Sequence, residues 1–414
     1  MSPAPSGTLQ ADLYRPLRIP GILVGDARLG GIGATISAFE SLKIRGLDVD
    51  AVVMFVDDGL GNIDFLRERF STSGVDLYAI PAPPASLDDK EQDHQEMAKY
   101  YRKCEDENHL KPLVRQIELN HHDRLMRLKA MPRKSSDLIW HPFTQHKNRD
   151  TKTILAIDSA YGDFFHTASK ELIDSASTGT AANDHHLAMS QPALDLSFDG
   201  SGSWWSQGLG HGNVNLSLSA AYAAGRYGHV MFAGAIHEPA LRLAETLIRR
   251  SQGKRLKKVF FTDNGSTGVE VALKMALAAS SNRYGWEAGE EIEILGLKGG
   301  YHGDTIATMD CCEPSDYNKV VNWYQGRGIW LDYPSVVMER GCWKVKCPET
   351  IRHVPKEQSF DSLKEIFNFS SRNYECYESY IRKTLQQAIK VVGKKIGALI
   401  MEPVILGAGG MVFP

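Results

Sequence analysis

The sequence lacks the features that would direct it to a membrane, a nucleic acid or an oxidising compartment. Its 414 residues include only six cysteines and no C-x-x-C pair, which argues against a disulfide framework and a structural zinc site. Lysine and arginine total 47 against 50 aspartates and glutamates, so there is no basic excess for binding nucleic acid. The longest weakly polar stretch, residues 396–413, is interrupted by Glu402, Pro403 and glycines and cannot span a membrane.

The first residues also lack a recognisable targeting segment. MSPAPSGTLQADLYRP has neither the basic and apolar regions of a signal peptide nor the arginine-rich pattern of a transit peptide. The composition, 43% hydrophobic and 23% charged residues, is ordinary for a globular enzyme. We therefore expect a soluble intracellular α/β chain with neither a membrane nor a nucleic acid as its partner.

The first 84 residues alternate between strand-like and helix-like patterns. Apolar runs at residues 22–24, 51–56 and 78–80 predict strands, and the spacing of apolar residues over 35–45 predicts a helix. This alternation is typical of a doubly wound sheet, but three strands are too few to complete one. Residues 85–138 carry clustered charges, which favours a solvated helical connector between two domains.

A second α/β pattern runs from residue 139 to residue 414. Apolar patterning predicts two helices, over residues 267–279 and 374–392. It predicts four strands, at residues 151–158, 259–262, 292–295 and 398–401.

The strand predicted at 259–262 leads into a polar, glycine-containing turn and then a helix. Free backbone N–H groups and the positive end of the helix dipole would face this turn and could hold a phosphate. Gly265 would let the anion approach the backbone, and Ser266 would add a hydroxyl donor. A capped helix end without a ligand is an equally good interpretation.

Aromatic residues stand in two further glycine-rich turns. Tyr301, within Gly-Gly-Tyr-His-Gly-Asp-Thr, follows a predicted strand and could stack on a planar cofactor, or be a core tyrosine. Trp204 and Trp205 follow Asp-Gly-Ser-Gly-Ser and could form an apolar substrate wall, or pack on a partner chain. Glu402 follows the last predicted strand, where an acid would face a ligand crevice.

Histidine and cysteine pairs do not predict a metal site, because they lack ligand spacing with nearby carboxylates. We interpret these pairs as structural or solvated: His121–His122, His185–His186 and Cys311–Cys312. No G-x-x-x-x-G-K-[ST] motif occurs either.

Taken together, these motifs closely resemble one enzyme family. The segments are Trp-His-Pro-Phe-Thr-Gln at 140–145, Trp204-Trp205, Gly-His-Val-Met-Phe at 228–232, Asp-Asn-Gly-Ser at 263–266, Tyr-His-Gly-Asp-Thr at 301–305, Glu402-Pro403 and Gly-Ala-Gly-Gly-Met at 407–411. Residues 139–414 resemble adenosylmethionine-8-amino-7-oxononanoate aminotransferase, a fold-type I, class III pyridoxal-phosphate enzyme of biotin synthesis. Residues 1–84, notably Gly-Asp-Ala-Arg-Leu-Gly-Gly-Ile at 25–32, resemble the second half of dethiobiotin synthetase. The order is similar to that of the bifunctional biotin protein of plants and fungi.

The resemblance implies specific site residues. Gly265 and Ser266 would hold the phosphate of pyridoxal 5'-phosphate, and Tyr301 would stack on its ring and border the substrate. Trp204, with Trp205, would line the oxononanoate pocket. Phe143 stands where some relatives carry a substrate-contacting tyrosine, and it lacks that hydroxyl.

The resemblance also implies that much of the parent enzyme lies outside these residues. The Schiff-base lysine and the aspartate paired with the pyridine nitrogen lie beyond Pro414 in the family, so this chain carries no catalytic residue. The phosphate loop that binds ATP and Mg²⁺ in the synthetase half lies before the first residue. We therefore expect an internal fragment, inactive by itself, made of a partial P-loop-type doubly wound domain (1–84), a charged connector (85–138) and an incomplete fold-type I domain (139–414).

The family further implies S-adenosylmethionine and 8-amino-7-oxononanoate as substrates, a homodimer and a mitochondrial location, with the cytoplasm as the other compartment. Two rival functions stay open. One is another class III aminotransferase, of the ornithine or γ-aminobutyrate type, against which the tryptophan pair argues. The other is a non-catalytic truncated product.

Overall fold

A computed structural model describes most of the chain, and it is a mixed α/β structure, as predicted. The described residues are 2–56, 59–142, 144–145, 147, 150–174, 193–251, 253, 255–368, 370 and 374–414. The chain divides into two compact units, Met1–His237 and Glu238–Pro414. In the described ranges, no helix has both the length and the apolar character needed to cross a bilayer.

A three-stranded parallel sheet opens the first unit and confirms the strands predicted there. Its strands are β1 (Gly21–Val24), β2 (Val49–Phe55) and β3 (Asp76–Ile80), in the order β1-β2-β3. Helices α1 (Gln10–Leu13), α2 (Gly31–Ile44) and α3 (Asn62–Ser71) alternate with them. Successive residues of β2 point to opposite faces, and both faces are buried, which explains its continuous apolar sequence.

The charged segment that follows is helical, as predicted, but one of its helices packs on this sheet. It forms α4 (Lys90–Asp106) and α5 (Lys111–Leu138). Leu113 of α5 is buried against Ala51, Val53 and Ile80. The prediction of a solvated connector was therefore wrong for this part of α5, because a few apolar residues among the charges are enough to cover one sheet face.

An antiparallel sheet completes the first unit. Its strands are β4 (Ile157–Tyr161), β5 (Phe164–Ala168) and β6 (Leu194–Phe198), with α6 (Lys170–Asp174) after β5. The strand predicted at 151–158 was mostly wrong: Thr151–Thr153 is a 3-10 turn, whose Lys152 N–H donates to the Asp150 carboxylate at 2.9 Å. Local capping of this kind competes with strand formation. A short turn, Gly202–Trp205, and α7 (Val214–Tyr227) follow.

The second unit contains a parallel three-stranded sheet and its helices. Its elements in chain order are α8 (Glu238–Arg250), α9 (Gly265–Tyr284), β7 (Ile292–Leu297), α10 (Ile306–Asp310), β8 (Gly328–Leu331) and β12 (Lys395–Leu399). The strand order is β12-β7-β8, and α9 packs its Leu273 against Ile294. The predicted helix 267–279 and the strand 292–295 are confirmed, whereas the last strand begins and ends a few residues before 398–401.

The strand predicted at residues 259–262 was wrong, because this segment belongs to none of the sheets in the described chain. Phe260 is 64% exposed and Phe261 is 37% exposed, so the apolar run is not buried between sheet faces. An apolar, β-branched run has strand propensity, but a strand also requires a neighbour with which to pair.

An antiparallel sheet of five strands also belongs to the second unit, with the strand order β11-β10-β9-β14-β13. Its strands are β9 (Ser335–Glu339), β10 (Cys342–Lys346), β11 (Glu357–Phe360), β13 (Ile405–Leu406) and β14 (Met411–Val412). Helices α11 (Leu363–Ile366) and α12 (Glu375–Gln386) follow β11, and a π turn, Gln387–Val391, completes the helical segment predicted at 374–392.

Candidate functional site

The beginning of α9 leaves backbone donors free for an anion. Asn264 caps the helix, and its side-chain oxygen accepts a hydrogen bond from the Thr267 N–H at 2.9 Å. The N–H groups of Gly265 and Ser266, the two residues before Thr267, donate to no atom of the described residues. Together with the positive end of the helix dipole, these two groups are suited to hold a phosphate.

A loop at residues 299–305, which we call the Tyr301 loop, follows β7 and contacts this helix end. The Asp304 N–H donates to the Ser266 hydroxyl at 3.0 Å, so that hydroxyl keeps its own proton for a further acceptor. Gly303 has a φ of +134°, and a Cβ built on it would lie 2.6 Å from Ser266 Oγ. Only glycine fits this contact, which brings two motifs separated by almost forty residues into one site.

Tyr301 projects from the same loop, and the residue is 44% exposed. The alternative of a buried core tyrosine was therefore wrong. Its hydroxyl donates to Asp304 Oδ2 at 2.9 Å, and partial burial together with this carboxylate raises the pKa of Tyr301 to about 12. The phenol is thus protonated at neutral pH, and the exposed ring offers a face for a planar ligand.

Glu402 holds two backbone segments, one of them at Tyr301. Its Oε1 accepts from the Tyr301 N–H at 3.0 Å, and its Oε2 accepts from the Gly407 N–H at 2.6 Å. The sequence placed an acid at the carboxyl edge of the sheet, and the structure shows that it binds backbone groups there. Its carboxylate joins the Tyr301 loop to the glycine-rich turn that precedes β14 (Met411–Val412).

His302 is a residue of this loop whose importance the sequence did not reveal. It is only 9% exposed, and no described residue hydrogen-bonds to its Nε2. Burial lowers the pKa of His302, although the charge of Glu402 opposes the shift. An unsatisfied buried nitrogen fits a loop that contacts a ligand. Its place beside Tyr301 in the motif was the signal that could have found it.

The remaining predicted residues lie elsewhere. Gly265, Ser266 and Tyr301 come together in the second unit, whereas Trp204 belongs to the first, where it is 70% exposed in the turn Gly202–Trp205. Phe143, the side chain of Trp205 and the pair His185–His186 lie outside the described residues. The part of the chain that the structure covers contains no cluster of three or more side chains able to hold a metal ion.

Comparison with known proteins gives one family match and several relatives. The model of the family "Aminotransferase class-III" matches residues 196–414. A bifunctional dethiobiotin synthetase/adenosylmethionine-8-amino-7-oxononanoate aminotransferase from Emericella nidulans is 50% identical, over 100% of this chain and 52% of that protein. A mitochondrial bifunctional dethiobiotin synthetase/7,8-diamino-pelargonic acid aminotransferase from Arabidopsis thaliana is 39% identical, over 99% of this chain and 48% of that protein.

The chain thus spans about half the length of the curated relatives that it matches along its whole length. Among solved structures, the adenosylmethionine-8-amino-7-oxononanoate aminotransferase of Methanocaldococcus jannaschii aligns with 49% of this chain and 40% of its own. The sequence identity is 22% and the TM-score is 0.38.

Proposed function

The chain belongs to the class-III aminotransferase family, and from this premise we propose that it is part of an enzyme of biotin synthesis. That enzyme transfers the amino group of S-adenosylmethionine to 8-amino-7-oxononanoate and forms 7,8-diaminononanoate. The relative from Emericella nidulans, 50% identical along the whole chain, supports this choice of substrates. The observation that carries the proposal is the junction of Ser266 with the Tyr301 loop at the start of α9.

The residues of this junction fit pyridoxal 5'-phosphate. The N–H groups of Gly265 and Ser266 and the Ser266 hydroxyl would bind the phosphate. Outside the backbone of α9 itself and the neighbours of Gly265 in the chain, no atom of the described residues lies within 4 Å of the position of a Cβ on Gly265. Tyr301 would cover the pyridine ring, with Glu402 holding its backbone. When bound, the cofactor supplies an electron sink for the carbanion formed at the substrate carbon.

The substrate would be enclosed by aromatic side chains. We assign Trp204 and Trp205, with Phe143 and Tyr301, to the wall of the oxononanoate pocket, as the family resemblance implies. The 70% exposure of residue Trp204 supports its assignment to a surface that a ligand covers. Phe143 would contribute packing only, since it has no hydroxyl to donate.

We assign the rest of the chain by the same reasoning. Residues 1–84 would be the C-terminal half of a dethiobiotin synthetase domain, which uses CO₂, ATP and Mg²⁺, and the parallel order β1-β2-β3 supports a doubly wound fold. Residues 85–138 would connect it to the aminotransferase domain at 139–414. The location would be mitochondrial, as for the plant relatives. The enzyme would be a homodimer, as the family resemblance implies.

A paired assay tests this function. The complete protein that contains residues 1–414 should form 7,8-diaminononanoate from 8-amino-7-oxononanoate, S-adenosylmethionine and pyridoxal phosphate. Residues 1–414 expressed alone should form none, because the family places the Schiff-base lysine beyond Pro414. Product is measured by mass spectrometry, and reactions without the oxononanoate give the blank.

Three results would contradict the proposal. Turnover by residues 1–414 above the blank would show that this segment contains the whole catalytic apparatus. Transfer by the complete protein from ornithine or γ-aminobutyrate, but not from S-adenosylmethionine, would identify a different class III aminotransferase. No transfer from any of these donors would leave a non-catalytic protein.

A further inference from the structure

The turn that carries Trp204 has an unusual backbone. Ser203 (φ 47°, ψ 54°) and Trp204 (φ 55°, ψ 52°) are both left-handed, although neither is glycine. L-residues rarely adopt this conformation, and two in succession are rarer still. Backbone strain of this kind persists only where surrounding interactions impose it, and it is concentrated at functional sites.

Asp199 supplies those interactions. Its carboxylate, only 4% exposed, accepts hydrogen bonds from the Ser201 hydroxyl at 2.9 Å, the Ser203 hydroxyl at 2.8 Å and His211 Nε2 at 2.8 Å. These bonds, led by that from His211, lower the pKa of Asp199 well below its usual value. A buried, ionised carboxylate thus holds the left-handed turn through Ser203.

The other end of this arrangement is fixed to the hairpin of β4 and β5. The backbone of His211 pairs with Gly162 in both directions, at 2.7 and 3.0 Å, and its ring lies 4.9 Å from the ring of Phe165. The Asp199 N–H donates to the Asp163 carbonyl at 2.9 Å. The carboxylate is therefore anchored to the hairpin through the Asp199 backbone and His211, while it bonds to the turn through Ser203.

The combination of serine, histidine and aspartate is not a nucleophilic site. Both the Ser203 hydroxyl and the His211 imidazole donate to the carboxylate, so the serine is not bonded to the base that would activate it. What this arrangement presents to the surroundings is the indole of Trp204.

We propose that Asp199 is a positioning residue for substrate recognition: it fixes the left-handed turn at Ser203 and thereby the orientation of Trp204. This inference rests on the proposed function, in which Trp204 borders the oxononanoate. Asp199 itself need not touch the substrate. Its loss should therefore affect substrate binding more than the chemical step.

The test is Asp199→Asn in the complete protein, because asparagine has no charge and only one acceptor oxygen, whereas the carboxylate accepts its three bonds with two oxygens. We expect the KM for 8-amino-7-oxononanoate to rise about 10-fold, with kcat changed less than about 3-fold and the affinity for pyridoxal phosphate unchanged. Asp195→Asn is the matched control: it removes the same charge from an exposed position on β6 and should leave KM unchanged.

A second substitution separates positioning from general stability. Glycine adopts the left-handed conformation without strain, so adding Ser203→Gly to Asp199→Asn should lower the raised KM at least about 3-fold. An unchanged KM in Asp199→Asn, or no rescue by Ser203→Gly, would overturn the proposal. If Asp199→Asn does not fold, Ser203→Ala should raise KM about 3-fold, and an unchanged KM would overturn it equally.

Failure of the proposed function would be distinguished by the unaltered protein. If that protein shows no transamination, the function and this inference both fall. If it is active and the Asp199→Asn variant retains its KM, only the inference falls.

Discussion

Replacing Gly303 with alanine should weaken the binding of pyridoxal phosphate about 10- to 100-fold. An alanine there would have to adopt a φ of +134°, which costs about 1–3 kcal/mol, and each 1.4 kcal/mol is about a factor of ten. Its Cβ would lie 2.6 Å from Ser266 Oγ and 2.9 Å from Ser266 Cα, so the loop must move away from the helix end. The dissociation constant, measured by equilibrium dialysis on the complete protein, checks this expectation.

Gly225→Ala is the matched control. Gly225 lies inside α7, and among the described residues no atom beyond its own helix backbone and chain neighbours is within 4 Å of its added Cβ, so cofactor binding should be unchanged. Binding by Gly303→Ala within about two-fold of the unaltered protein would show that contact between the Tyr301 loop and Ser266 does not shape the site.

Replacing Asp158 with alanine should lower the free energy of unfolding of the first unit by about 3–5 kcal/mol. Arg124 makes two hydrogen bonds to this carboxylate, at 2.9 and 3.0 Å, and Arg18 makes one at 2.6 Å. The side chains of these residues are only 8–14% exposed. Arg18 retains Asp48, but Arg124 is left with the backbone carbonyl of Arg18. Urea unfolding of the complete protein, followed by a probe in the first unit, measures the loss.

The stability lost in Asp158→Ala should become smaller as the pH falls. Burial alone would raise the pKa of Asp158, but the hydrogen bonds and charges of Arg18 and Arg124 lower it overall. A carboxyl group with a lowered folded-state pKa adds stability above its unfolded pKa of about 3.9, and this stability is lost as the pH falls through the folded value. The difference between the two proteins should thus be constant from about pH 5 to 8 and shrink below about pH 4.

Asp64→Ala is the control for this substitution. Asp64 pairs with Arg67 on the surface of α3, where its side chain is 86% exposed, and such pairs contribute about 0–1 kcal/mol. An Asp158→Ala variant no less stable than Asp64→Ala would show that the buried arginines find other partners.

Elements with strong local patterns could be predicted from the sequence. The strands and helix of residues 1–84 follow continuous apolar runs and helical spacing, which depend only on neighbouring residues. The helix predicted at 267–279, which spans 265–284 in the structure, follows from the same kind of spacing. Residues 259–262 have an equally apolar run and form no strand, because pairing depends on which distant segments are available as neighbours.

The candidate site was predictable in its parts but not in its connections. Polar and glycine-rich turns after predicted strands indicated Ser266, Tyr301 and Glu402. That Ser266 accepts a hydrogen bond from Asp304 depends on tertiary packing across almost forty residues, which no local pattern contains. The left-handed backbone at Trp204 could not be predicted either, because tryptophan has no intrinsic preference for that conformation.

The central claim, that the start of α9 and the Tyr301 loop hold pyridoxal phosphate, is tested most directly by a crystal structure of the complete protein with the cofactor. The measurement is the distance from the phosphate oxygens to Ser266 Oγ and to the Gly265 nitrogen. We expect both at hydrogen-bond length, about 2.7–3.2 Å, with the pyridine ring against Tyr301. A phosphate bound elsewhere, with the start of α9 facing only solvent, would contradict the account.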